Sequence, residues 1–503
     1  MVGSLSMGRL SGDQQGLTRH TGKGFVINCS DKICEHFAMH LSLDRHSAIP
    51  LVQQLTGQLQ AWIEGQRLRP GSRLPSIRQL AREQGVSQSC VIEAYDRLVA
   101  AGWLEARHGA GFFVAEQRLK TPLVYQPIRD EAFDSRWQQF TDDPGELLKL
   151  CCGWVPSSWR ATEAIAQAVR QVSRGAVDDL IDYCPPLGLA SLRTQLHKGL
   201  GQIGIHAAPE QILTTQGASH ALDLLVRTLL KPGDKVLVES PGYYNLYSLL
   251  RLHQVDMLEV PRTPHGPDLQ VLEDLLKQHR PRCLYINSLY QNPTGSSLSP
   301  KVAYRLLELA REHDLLIIED DIYADFQDGT VTRLATLDAE QRVIYLASFS
   351  KTLSSSLRVG YLVAGPELVA RLAELKMVSG LGTSRFTEQV VAQMLGNGSY
   401  RKSTARLRLR LAQHMAKALG QLEANGWEVF TEPYGGMFVW ARCPGRSFAE
   451  LNHEAQACSV LLAPGSAFDP LGAACDWLRI NVAYAQDQRA QTFFQRAGRP
   501  RLS

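Results

Sequence analysis

No apolar run in the 503 residues reaches the roughly 18 needed to cross a bilayer, so no membrane partner is expected. The first residues lack the basic-then-apolar pattern of a secretory signal, which gives the expectation of a cytoplasmic protein. A dominant charge is missing too. Lys and Arg number 53 against 50 Asp and Glu, leaving +3, so any DNA site must be a local patch. The ten cysteines show no disulfide framework, and the adjacent Cys151 and Cys152 read most simply as reduced thiols. Cys29, Cys34, His36 and His40 fit no zinc spacing, and no metal is expected. Internal repeats are absent as well.

What remains is a globular composition on a chain too long for one core. Residues 1–44 are polar and aperiodic, with an internal Met39, and read as a disordered arm or an over-extended start. Residues 45–115 read helix, helix, turn, helix, hairpin. Residues 116–150 are polar and carry Pro122, Pro127 and Pro144, which suits a linker. From 151 to 497, β-rich runs alternate with helical patterns, the signature of an α/β fold with a mostly parallel sheet. Candidate strands are Lys235–Glu239, Cys283–Asn287, Leu315–Glu319 and Val343–Ala347.

In the head, Leu51, Leu55, Leu59 and Trp62 share a helical face ending near Gly65. Ile77, Leu80 and Ala81 make a short second helix. Gly85 permits a sharp turn, and Ser87 can cap a third helix with Val91, Ala94, Tyr95 and Leu98 inward. Trp103–Ala106 and Gly111–Val114 form a hairpin wing. This geometry can lay the third helix in a major groove, with Arg73, Arg78, Arg82, Gln88, Arg107 and His108 available for contact. By spacing alone, a domain of this size could also serve protein contacts.

Chemistry concentrates in the larger region. Ser348–Tyr361 (SFSKTLSSSLRVGY) places Lys351 after a buried strand, with Arg358 seven residues on. Such a lysine can form a Schiff base with an aldehyde, while hydroxyls and a guanidinium hold a phosphate. Leu315–Phe326 ends a hydrophobic strand in acids, which puts Asp320 where ligands bind in parallel sheets and Tyr323 nearby. Acids there can equally cap a helix. Gln216–Asp234 opens a helix on small residues, so the N–H groups of Gly217, Ala218 and Ser219 can cradle a phosphate. Tyr243 follows, as a ring that stacks on a ligand or fills a core. Arg479 sits in the apolar run WLRINVAY, facing either a carboxylate or water. Trp427 and Tyr434 have only core readings.

Pro50–Val114 resembles the GntR family of winged helix-turn-helix regulators in its Pro70–Ala81 core, its Gly85–Ser87 turn, its Ala94–Leu98 run and its Gly109–Gly111 wing. That resemblance implies DNA contacts from Arg78, the start of the third helix and the wing. Gln88-Ser89-Cys90 departs from the pattern by lacking an arginine common there. From about Leu150 to Tyr484 the chain resembles class I and II aminotransferases of fold type I. This implies pyridoxal 5'-phosphate bound through Lys351, with Asp320 on the ring nitrogen. Asn292 (of Asn292–Gly295) and Tyr323 are implied at the ring oxygen, Tyr243 above the ring, and Ser348, Ser350, Arg358 and Gly217–Ser219 at the phosphate. Tyr183 resembles the tyrosine that reaches a partner subunit's cofactor, implying a head-to-tail homodimer. Gly435–Trp440 matches a small-domain strand, and Ser355-Ser356 departs from the usual Pro-Gly. The order of the two parts is that of MocR-like (GabR-type) regulators, in which an amino-compound effector at the cofactor alters binding to double-stranded operator DNA. The alternative is an aminotransferase with an auxiliary head, and nothing in the sequence forbids turnover.

Overall fold

A computed structural model describes residues 41–45, 47, 49–65, 68–115, 140, 147–175, 181–327, 331–339 and 341–498, and the chain divides into two compact units between Pro127 and Ile128. Most of the expected arm and linker lies outside the described residues.

The smaller unit is a winged helix-turn-helix. Helix α1 (Leu51–Gly65) buries Leu55, Leu59 and Ile63, at the spacing of one helical face. Leu51 and Trp62 flank that face half-buried. Helix α2 (Ile77–Gln84) begins where Ser76 accepts the Gln79 N–H at 3.2 Å. It ends at Gly85, whose φ of +62° suits glycine. Helix α3 (Gln88–Ala100) is capped by Ser87, which accepts the Cys90 N–H at 3.2 Å. Each such cap contributes about 1 kcal/mol. Val91, Ala94, Tyr95 and Leu98 turn inward, and the Tyr95 hydroxyl donates to the Pro75 carbonyl at 2.8 Å. Strands β1 (Leu104–Arg107) and β2 (Gly111–Val114) pair antiparallel, with Arg107 opposite Gly111, and form the wing. The end of the expected arm is fastened here. Leu41 and Leu43 lean on the helical core, and Arg45 donates to the Gly85 carbonyl at 2.6 Å.

In the larger unit the strands are β3 (Leu148–Lys149), β4 (Ile212–Thr215), β5 (Lys235–Ser240), β6 (Asp256–Thr263), β7 (Gly266–Pro267), β8 (Cys283–Ile286), β9 (Leu316–Asp320), β10 (Val343–Ser348) and β11 (Gly360–Val363). Beyond them come β12 (Glu428–Val429), β13 (Phe438–Arg442), β14 (Val460–Leu461) and β15 (Leu478–Asn481). The main sheet runs β4-β11-β10-β9-β8-β5-β6-β7. Pairing is parallel from β10 through β9, β8 and β5 to β6, while β11 and β7 are antiparallel to their neighbours. Alternation along a strand divides the core in two. Val236 and Val238 of β5 join the cluster containing Leu222 and Leu225, while Leu237 joins the cluster containing Leu306 and Leu309. Burial on both faces is why these strands read as continuous apolar runs.

A three-stranded sheet, β12-β13-β15, sets Arg479 opposite Trp440, and β3 pairs parallel with β14. Tyr434 corrects its core reading, being 65% exposed. The Tyr290 ring fills the space beside Gly435 and Gly436 and leaves Tyr434 edge-on at its outer side. Among the described residues no helix is long and apolar enough to cross a membrane.

Candidate functional site

The carboxyl ends of β4, β5, β8, β9 and β10 carry the residues singled out above, as expected for a parallel sheet. Lys351 follows β10, and its Nζ donates to the Gly153 carbonyl at 2.7 Å. Burial, helped by the Arg479 guanidinium, lowers this amine to about 8. Asp320 is the last residue of β9 and is 1% exposed. Burial pushes its carboxyl up to about 6, although the Tyr285 hydroxyl and the Ile322 N–H both donate to it. It has no ion pair among the described residues. Tyr323 is buried, with its ring edge-on to Phe438. Burial raises the Tyr243 hydroxyl to about 12, and that oxygen accepts from Asn245 at 3.1 Å.

Arg479 is buried at 2% exposure, so the reading in which it faces water falls. Its Nη1 donates to Asn292 Oδ1 at 2.8 Å, and its Nε and Nη2 both donate to the Cys151 carbonyl. Three of its five N–H groups are thereby used, and two remain for a ligand. The Phe438 and Phe468 rings flank the guanidinium at 4.6 and 4.8 Å.

A second cluster gathers beside β4 and β10. Ser348 Oγ donates to Ser350 Oγ at 3.0 Å. Arg358 donates to Ser350 Oγ at 3.2 Å and to the Gln216 carbonyl at 3.0 Å. A Cβ on Gly217, whose φ is +77°, would stand 2.6 Å from Arg358 Nη2. Glycine is what lets the guanidinium lie along this turn. Of the three N–H groups expected to face an anion, that of Gly217 donates to the Thr215 carbonyl at 2.9 Å. Ala218 and Ser219 keep the first-turn N–H groups that a helix leaves unpaired. Tyr183 stands apart from these clusters and is 78% exposed.

Several participants were not singled out in the sequence. Tyr285 had a signal, since a tyrosine in the apolar run CLYI must find a partner for its hydroxyl. Asn287, whose Nδ2 donates to the Asp320 carbonyl at 2.8 Å, had none. The Cys151 and Gly153 carbonyls also lacked one, because a backbone contact leaves no mark on residue type.

On the head, Arg73, Arg78, Gln88 and Arg107 are all exposed. Arg73 lies along the wing, its Nε 3.6 Å from where a Gly111 Cβ would be. Arg107 rests on the Phe113 ring at 4.6 Å and pairs with Glu105 at 3.3 Å. Gln88 opens α3.

A sheet of this order, with a lysine and a carboxylate at adjacent strand ends, defines the fold-type I class of pyridoxal-phosphate proteins. Residues 146–496 match the family described as aminotransferase class I and II, and residues 51–114 match the bacterial regulatory proteins of the gntR family. The chain belongs to the class I and II aminotransferase family and carries a GntR-type head. That membership implies pyridoxal phosphate as cofactor. The HTH-type transcriptional regulator YdcR of Escherichia coli, itself uncharacterized, is 29% identical over 89% of this chain and 98% of its own. The probable rhizopine catabolism regulatory protein MocR of Rhizobium meliloti is 28% identical over 80% of this chain and 83% of its own. LysN, an α-aminoadipate aminotransferase from Thermus thermophilus, superposes with a TM-score of 0.64 at 33% identity, covering 70% of this chain and 92% of that one.

Proposed function

We propose that this protein is a cytoplasmic, DNA-binding transcription regulator whose aminotransferase-like unit holds pyridoxal phosphate and senses an amino compound. The observation that carries this reading is the fusion itself. YdcR and MocR, which match 89% and 80% of this chain, are named as regulators. The domain scheme adopted is an arm to 44, a head over 45–115, a linker over 116–150 and the cofactor unit over 151–497.

The residues present fit the cofactor. Asp320 is a buried carboxylate with no ion pair among the described residues, which suits a protonated ring nitrogen. Glycine at 217 lets the Arg358 guanidinium stay at the start of the helix Ala218–Leu229, where a Cβ would displace it. Arg358, Ser348, Ser350 and the Ala218 and Ser219 N–H groups would hold the phosphate. Asn292 has its Oδ1 fixed by Arg479, so its Nδ2 would donate to the ring oxygen beside Tyr323. Tyr243 would cover the ring, and Tyr183 would reach the phosphate held by a partner subunit in a head-to-tail dimer. When bound, the cofactor supplies an aldehyde that amines compete for and a ring that accepts electrons. Lys351, with its amine lowered, is the resident competitor. Arg479 then receives the carboxylate of an incoming amino compound with its two unused N–H groups. In the head, Arg73, Arg78 and Arg107 hold phosphates while Gln88 faces base edges.

The test is retardation of DNA from upstream of the protein's own gene, at low salt, with and without candidate amino compounds. Shifts in retardation that follow amine-induced changes in the cofactor's visible absorption support the reading. Failure to retard any such DNA overturns it. One observation favours a second reading, an aminotransferase passing an amino group from an amino acid to a 2-oxo acid. Lys351, Asp320 and Arg479 are all present and close, so a released Lys351 amine can move a proton at the substrate carbon. Sustained turnover with a common amino acid would establish that reading.

A further inference from the structure

We propose that the larger unit holds a second small-molecule site, distinct from the surroundings of Lys351, which takes an organic anion bearing carboxylate or phosphate groups and whose filling is felt at Lys351. A cleft of about 700 Å³ opens between the segment Pro156–Trp159, the long helix Ser399–Ala424 and the turn after β15. That is the size of a metabolite pocket. Arg410 and His414 line it from the long helix, Tyr484 from the turn, Arg489 from the start of the helix Gln488–Ala497, and Trp159 from the segment.

The charges in this cleft do not balance. Among the described residues Asp487 is the one carboxylate of its lining, and it is already bound to Arg489 at 2.9 and 3.0 Å. Arg410 makes no hydrogen bond or ion pair among the described residues, and its guanidinium lies over the Trp159 ring at 5.6 Å. His414 meets the same ring edge-on at 4.5 Å. Burial, then Lys417 and Arg410, lowers the His414 imidazole, while the Val482 carbonyl opposes this. The helix behind Arg410 carries six Lys and Arg residues and one acid, Glu423. A concave wall that presents one unpaired guanidinium, that of Arg410, beside a flat indole suits a small anion.

The cleft also reaches the lysine. Arg160, next to Trp159, donates to Ser355 Oγ at 3.2 Å, in the loop between Lys351 and Arg358, and its Nε is buried without a partner. Tyr484, in the lining, lies near the Cys152 thiol, which donates to the Trp154 carbonyl at 3.4 Å, and the residue between them, Gly153, accepts from Lys351. A ligand pressing on Trp159 and Tyr484 therefore bears on both ends of the segment that holds the amine.

The proposal does not depend on DNA binding. Its test is calorimetric titration of the full-length, cofactor-loaded protein with citrate and, separately, with inorganic phosphate. Saturable binding of either, one per chain, is expected; citrate marks a polycarboxylate site, and phosphate alone a phosphate-ester site. The exposed Arg410→Glu change should weaken binding at least tenfold and Trp159→Phe by less, while Arg479→Met leaves it within about twofold. Saturation should shift the cofactor's visible absorption. Absence of saturable heat from both anions at millimolar concentration overturns the site. Loss of binding in Arg479→Met but not in Arg410→Glu assigns the anion to the lysine's surroundings, and also overturns it. Binding without any absorption shift overturns the coupling.

Discussion

In the larger unit, the groups proposed to hold the cofactor come from segments as distant in sequence as Gly217 and Arg479, and Asp320, Tyr323 and Arg479 are nearly or fully buried. In the head, the groups proposed to meet DNA come from the single stretch Arg73–Arg107, and Arg73, Arg78, Gln88 and Arg107 are all exposed. The contrast follows from the ligands. A small dianion with a ring is recognised by enclosing it, so each group must be held by another before the ligand arrives. A polyanionic duplex supplies its own order, and side chains on a rigid hairpin and helix need only reach it. Substitutions should therefore act all-or-none in one region and by increments in the other.

The largest effect is expected at Lys351. Lys351→Ala should abolish the visible absorption band of the lysine-bound cofactor, read by spectrophotometry, and a retained band would break the contrast. In the intact chain, cofactor uptake needs the neutral amine, and the amine sits at about 8. Uptake should rise roughly tenfold per pH unit up to that point and level off above it, measured by stopped flow. Next comes Gly217→Val, which drives a side chain into Arg358 and should weaken cofactor affinity by about tenfold or more while leaving DNA retardation of the loaded protein intact. In the head, Arg78→Ala should weaken binding to all DNA sequences alike, by about 1–2 kcal/mol, and lower the salt slope by about 1. Smallest is Glu93→Gln, which removes a half-exposed ion pair to Arg97 at 2.7 Å. Its effect on the head's thermal stability should stay below ~0.5 kcal/mol.

The same contrast decides what the sequence reveals. The head was legible nearly throughout, because its turn and the cap of its third helix are single residues at fixed offsets, Gly85 and Ser87. The strand ends were legible because an acid or a serine closes an apolar run, as Asp320 does for LIIED and Ser348 for VIYLAS. What escaped was mutual support. Nothing local tells Asn292 that Arg479, 187 residues away, will fix its amide, and nothing local marks the Cys151 carbonyl as an acceptor. Tyr434 was misread because an aromatic beside two glycines belongs to the core only if no other ring has taken the space, and Tyr290 has. Leu41–Arg45 escaped because so short a stretch shows no period, yet Arg45 closes on the Gly85 carbonyl.

The first described strand of the larger unit is fastened in an unusual place. On entering the larger unit, the chain first pairs β3 with β14 rather than joining the main sheet. The next carbonyls, at Leu150 and Cys151, accept from the Asn481 N–H and from Arg479, both on β15. The segment Leu150–Gly153 is thus moored to the small sheet, and its last carbonyl, that of Gly153, accepts from Lys351. A change at that sheet would therefore be felt at the Lys351 amine through backbone carbonyls alone, whatever side chains stood at residues 150–153.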